Sequence, residues 1–339
     1  MRTLFSLLIL FTSTGVFAQW QALPETAPAP ADNPTTPAKV ELGKTLFFDP
    51  RISSTGTVSC NSCHNVMAGG DDNRPVSMGV HGKTGGRSAP TVWNAAFYST
   101  QFWDGRANTL EDQAKGPMTN PVEMGMKDHD SVMQRLSSIP GYRKLFKKAF
   151  GNEKMTIDQA AKAIAAYERT LITPNSPYDR FVKGDKKALS QLQQKGMKLF
   201  AETGCTSCHS GPAFNGQQGV KIGTPVLMKF PMFSNNPYVK QFDLLADRGR
   251  ETVTGKKSDA HLFRTPTLRN IALTAPYFHN GKVKDLATAV QVMARTQLNR
   301  ELNKQQIEQI VAFLNSLTGE FPEQSMPRLP ATPNTSLIQ

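Results

Sequence analysis

The sequence predicts a mainly α, loop-rich chain of two related domains, and three observations carry that prediction: an internal repeat, amphipathic helical patterns at matching places in each half, and sparse strand signals. "GKTLF" at Gly43 to Phe47 returns as "GMKLF" at Gly196 to Phe200. "APTVWNAAF" from Ala89 to Phe97 matches "TPTLRNIAL" from Thr265 to Leu273, and eight residues beyond Asn94 and Asn270 come "FWDGRANTL" and "FHNGKVKDL". Last, "AIAAYERTL" (Ala163 to Leu171) matches "QIVAFLNSL" (Gln309 to Leu317), each with apolar residues at helical intervals.

In chain order, residues 1–18 carry one Arg, a short apolar run and a Val16-Phe17-Ala18 end, which reads as a cleaved secretory signal. Residues 19–38 are Pro-rich and polar, a leader expected to stay outside any core. Two domains follow at 39–175 and 176–321, each reading as helix, cysteine motif, irregular loops and a final amphipathic helix; 322–339 reads as an extended tail. No later segment is apolar and long enough to span a bilayer, so an exported, periplasmic, non-spanning protein is expected. The net charge of +12 is dispersed, without a Lys/Arg block, which favours acidic partners or bound anionic groups over nucleic acid.

All four cysteines fall in two motifs, "SCNSCHN" around Cys60, Cys63 and His64 and "GCTSCHSG" around Cys205, Cys208 and His209. Cys-x-x-Cys-His is the attachment signature of c-type haem: two thioether bonds, with the imidazole on the iron. Zinc would want four clustered ligands and gives no reason for the adjacent His. Two covalently bound haems, in two cytochrome c-like domains, are expected.

The halves are not equivalent. Seven residues past Leu286 stands Met293, which could ligate iron opposite His209 or simply fill core; seven past Leu110 stands Pro117, which cannot ligate. The first half offers Glu123 in "TNPVEMG", either a general acid–base beside an open haem face or a surface acid. His81 in "SMGVHGKTGG" lies on a Gly-rich segment, a ligand that can let go or an exposed loop residue. Trp103 occupies the position matched by His279, near the domain interface or in a core.

From about Lys39 to Phe321 the chain resembles the bacterial di-haem cytochrome c peroxidase family: "FFDPR", "SCNSCHN", "APTVWN", "FWDGRA", "TNPVEMG", "GCTSCHSG", "FRTPTLRN" and "TAPYFHNG" occur in the family's order. The resemblance implies reduction of hydrogen peroxide to water with electrons from a small donor, a c-type cytochrome or a cupredoxin. It implies a low-potential peroxide-reducing haem on Cys60, Cys63 and His64, with His81 its removable ligand and Glu123 the distal acid–base. It implies a high-potential haem on Cys205, Cys208 and His209, with Met293 on its far face, Trp103 between the haems, and a homodimer. It also implies a calcium ion between the domains, held by backbone carbonyls at positions matching Thr274 and Pro276 and by an Asn side chain; here Ser88 stands in that Asn position. Two rivals are a di-haem enzyme oxidising protein tryptophans, which has Tyr where this chain has Met293, and a purely electron-transferring cytochrome, against which Glu123 and Pro117 argue.

Overall fold

The computed structural model describes residues 20–217, 224–333 and 336–338; the expected signal segment lies outside them. The first half holds α1 (Pro37–Phe48), α2 (Cys60–Cys63), α3 (Leu110–Thr119), α4 (His129–Ser137), α5 (Pro140–Phe150) and α6 (Ile157–Glu168). The second holds α7 (Pro177–Val182), α8 (Gln191–Thr203), α9 (Pro237–Gln241), α10 (Glu251–Thr254), α11 (Leu286–Leu298) and α12 (Lys304–Asn315). Strand structure among the described residues is one antiparallel pair, β1 (Leu227–Lys229) with β2 (Leu262–Arg264). Helix starts follow local chemistry. Thr36 caps α1 ahead of Pro37, and capping boxes open α6 (Thr156 with Gln159), α8 (Ser190 with Gln193) and α12 (Asn303 with Gln306).

The repeat is visible as packing. In the first half α1 crosses α6, and in the second α8 crosses α12. The glycine that opens each "GxxLF" sits at the crossing: a Cβ on Gly43 would lie 1.9 Å from Ala163 O, and one on Gly196 would lie 1.8 Å from Gln309 O. Only a bare Cα allows these approaches, so the repeated glycine is a contact requirement. Around the first crossing lie buried Leu42, Leu46, Phe47, Ile164 and Tyr167; around the second, Phe200, Phe214, Ile310, Phe313 and Tyr178. A further cluster of Phe230, Phe263, Tyr277 and Val292 lies under the loops of the second half.

The halves meet at a near-symmetric contact. The N–H of Asn94 donates to Leu171 O (2.8 Å) and that of Asn270 to Leu317 O (3.3 Å). The Asn94 Oδ1 accepts from Thr173 N (2.9 Å), and the Asn270 Oδ1 accepts from Gly319 N (3.1 Å). Both amides then donate to one hydroxyl, Thr173 Oγ1, at 2.8 and 2.9 Å. Thr173 has no twin: a Cβ on the matching Gly319 would fall 1.8 Å from Thr173 O.

The Pro-rich leader departs from expectation. Trp20 packs edge-on against Tyr178 and Phe313, and Leu23 is buried with its N–H donating to Asp179 Oδ1 (2.9 Å). Asp179 also forms a fully buried ion pair with Arg269 (2.8 Å). Two apolar side chains and one buried carboxylate are enough to seat a polar segment on the second core. The tail is extended but docked: Arg51 donates to Pro330 O (2.9 Å), and Phe321, the residue just before the tail, packs edge-on against Trp93 at 4.8 Å.

Candidate functional site

Each cysteine motif forms one tight turn. His64 N donates to Cys60 O (2.9 Å) and His209 N to Cys205 O (3.0 Å), which gathers each motif's cysteines and histidine into a single turn. The four thiols form no disulfide. Burial pushes Cys63 up to about 11 and Cys205 up to about 12, and raises Cys60 further, so these three stand as thiols. Among the described residues no three His, Cys, Asp or Glu side chains cluster as a metal site would need.

Both histidines are oriented alike. The Nδ1 of His64 meets Pro90 O at 3.0 Å and the Nδ1 of His209 meets Phe214 O at 2.9 Å, and each ring lines a cavity. With Nδ1–H donated to a carbonyl, Nε2 keeps its lone pair for a metal. Burial lowers both imidazole pKa values and keeps the rings neutral, the ligating form. The residues therefore fit two covalently attached haems: paired thiols, a pre-set imidazole and a cavity in each half.

The cavities differ in what lines them beside the histidine. Met293, from α11, lines the apolar cavity of His209 together with Leu286, Val290 and Leu314. The cavity of His64 contains no Met; Glu123, Gln113, Asn120 and Pro117 line it. Burial raises the Glu123 carboxyl above its ordinary value, against the opposing pull of Arg106 and of Asn120 Nδ2, which donates to Oε1 at 2.8 Å. A second opening reaches Glu123 past Phe102 and Arg106, whose guanidinium lies 3.4 Å over the Phe102 ring.

Trp103 and His279 belong to the wall shared by both cavities, with ring centroids 6.3 Å apart and nearly perpendicular. Trp103 Nε1 donates to Ser88 O (2.9 Å), and Ser88 N donates to His279 O (2.7 Å). Arg264, held by Trp103 O and Phe102 O, lies in the same wall over Tyr98. His81 is not brought to either cavity: it is exposed, in a left-handed conformation (φ 57°). Its loop is nevertheless clipped to the acid's loop, since Val80 N donates to Glu123 O (2.9 Å) and a Cβ on Gly79 would meet Val122 O at 2.0 Å. Ser88, Thr274 and Pro276 line one cavity together.

Sequence reasoning passed over several of these residues. Gln113 sits one turn before Pro117 on α3 and carries no motif of its own. Glu168, at the end of α6, is buried in the wall of the first cavity, and burial pushes its carboxyl up to about 8. Asp71 is buried with Oδ1 lacking a donor. Only His279 carried a signal, its register with Trp103 in the repeat.

The chain is similar to known proteins along nearly its whole length. The family model "Di-haem cytochrome c peroxidase" matches residues 37–187, and "Cytochrome c" matches residues 193–318. Cytochrome c551 peroxidase of Nitrosomonas europaea is 45% identical over 97% of this chain and 93% of the relative. The protein of the same name from Pseudomonas aeruginosa is 46% identical over 94% of this chain and 90% of its own. Among solved structures, a MauG-like protein associated with microbial copper homeostasis superposes with a TM-score of 0.75 at 28% identity, over 88% of this chain and 94% of the other.

Proposed function

Because this chain belongs to the di-haem cytochrome c peroxidase family, we propose that its two halves divide one reaction, the first reducing hydrogen peroxide and the second taking in the electrons. The protein is an oxidoreductase acting on peroxide, with two c-type haems. When bound, the haems supply the redox chemistry: one iron for peroxide, one for holding an electron.

The observation that carries this division is the contrast across the two histidines, Met293 on one side and Glu123 on the other. Cys60, Cys63 and His64 would hold the first haem, and Cys205, Cys208 and His209 the second, with Met293 available to it as a further ligand. Glu123 has Oε1 engaged by Asn120. Its other oxygen would take the proton from one peroxide oxygen and return it to the other, which would leave as water, while two electrons supplied through the haems and two further protons would reduce the remaining oxygen to a second water. The buried setting raises the carboxyl's pKa and so makes it a better proton acceptor. Trp103 and His279 fill the wall through which electrons would pass, and His81, exposed on a loop clipped to that of Glu123, would be the ligand that leaves.

The finer features are part of the same proposal: secretion with loss of residues 1–18, a periplasmic location, domain limits at 39–175 and 176–321, a small cytochrome c or cupredoxin as donor, and a homodimer. So is a calcium ion at Ser88, Thr274 and Pro276. Among the described residues no helix is long and apolar enough to cross a membrane. The test is a reductive titration followed by optical and spin-resonance spectra, with peroxide added at each stage. Fast peroxide consumption should require reduction of the His209 haem. Equal turnover with that haem oxidised would overturn the division of labour.

A further inference from the structure

The calcium reading leaves the ion with one weak side-chain ligand, Ser88, and two carbonyls. The structure shows what else stands there. Asp71 is 3% exposed, its Oδ1 accepts from no donor, and it lines the same cavity as Ser88, Thr274 and Pro276. No salt bridge partner meets it among the described residues; its backbone carbonyl is engaged by Asn65 N, but its Oδ1 is not engaged. A buried, unpaired carboxylate is costly unless a cation or a proton compensates it.

Carbonyl acceptors of the second half lie close by. Asn73 Nδ2 donates to Leu273 O (2.9 Å) and Ala275 O (3.0 Å), so the first half grips the carbonyl run of the second. The intervening Thr274 O and the following Pro276 O accept nothing among the described residues. Gly69 keeps the space open: a Cβ there would lie 2.7 Å from Leu273 O and 2.9 Å from Asp71 Oδ1. Gly69 has no left-handed φ, so room rather than backbone freedom is what its missing side chain provides. The Asp71 carboxylate of the first half and the carbonyl run of the second therefore meet beside Gly69, with Asp71 Oδ1 left without a donor. Calcium takes six to eight oxygens at about 2.3–2.6 Å and is tuned by the number of charged ligands.

Building on the calcium site proposed above, we infer that Asp71 is its anionic ligand, a carboxylate that takes over the side-chain coordination Ser88 supplies only weakly and that ties the first half to the 273–276 carbonyls of the second. The test uses the full-length, haem-loaded protein, stripped with chelator and titrated with calcium alone by equilibrium dialysis. Asp71→Asn, nearly isosteric and uncharged, should weaken calcium binding on the order of ten- to a hundredfold, with haem content unchanged. Wild-type-like affinity in Asp71→Asn overturns the inference and leaves the calcium site standing. Absence of calcium binding by the wild-type protein overturns both. Should the variant fail to mature, the infrared difference between calcium-loaded and chelated wild type, with isotope-labelled aspartate, decides: a shifted aspartate carboxylate band supports the inference, and no aspartate band overturns it.

Discussion

The two halves of the molecule share a helix crossing, a cysteine turn and a histidine held by a carbonyl, yet the cavities those histidines line differ in the other residues that line them. In the second half α11 brings Met293 there; in the first, α3 brings Gln113 and Pro117, and the following loop brings Glu123. The comparison teaches that the scaffold fixes how a haem is held, while a handful of residues on the facing elements decide what it does. A sulfur ligand closes an iron and favours its reduced state; a buried carboxyl beside a site without such a ligand suits proton transfer.

The largest effect should come from removing one attachment at a time. Cys60→Ala with Cys63→Ala and Cys205→Ala with Cys208→Ala should each give an exported protein with one haem fewer by mass spectrometry, and neither should turn over peroxide with a protein donor. Substantial activity in the second of these would break the comparison, since the halves would not depend on each other.

Next comes Glu123→Gln, which keeps shape and loses proton transfer. Turnover should fall by roughly 10²–10⁴-fold, with haem content and both potentials nearly unchanged. The pH profile sharpens the test. Burial raises the Glu123 pKa above its ordinary 4.5, so its basic form, and the activity, should be lost as pH falls through that raised value. The acid limb should therefore sit above the ordinary glutamate range, and it should vanish in the variant. Retained turnover under saturating donor, with chemistry limiting the rate, would remove Glu123 from the mechanism.

Met293→His should lower the potential of the second haem alone, because imidazole stabilises the ferric state more than a thioether does. A redox titration showing both potentials unmoved would return Met293 to the core.

The smallest effect concerns the contact between the halves. Thr173→Val removes the hydroxyl that accepts from both Asn94 and Asn270 and leaves two buried amides short of a partner, a cost of about 1–3 kcal/mol in chemical denaturation. Unchanged stability would mean that water replaces the hydroxyl.

How legible this was depends on how each residue makes itself known. The cysteine turns, the repeat and the terminal helices are local signals, periodic or fixed in spacing, and the structure has them where the sequence put them. Met293 could be singled out because the repeat sets Pro117 against it, and Glu123 because its loop has no counterpart ligand in the second half. Gln113 and Glu168 could not: their residue types are common on helix surfaces, and only the tertiary cavity distinguishes them. The leader was misjudged because composition averages over residues, whereas Trp20 and Leu23 act singly, each finding a site that belongs to a distant part of the chain. His81 was recognisable as a histidine on a Gly-rich segment, but a loop's position is set by what it docks on, here the backbone of Glu123.

The meeting of Thr173 with Gly319 carries a historical consequence. Around it the hydrogen bonds repeat almost as a two-fold axis would dictate, but the two residues nearest that axis are unlike, and the glycine lies too close to its partner's backbone to accept a side chain. Two identical ancestral domains meeting in this way would have to place the same residue in both positions, losing either the shared hydroxyl or the close approach. Within a single chain that symmetry is not imposed: the two positions can differ, as Thr173 and Gly319 do here. The fused chain can therefore hold a left and a right where a pair of equal subunits could not.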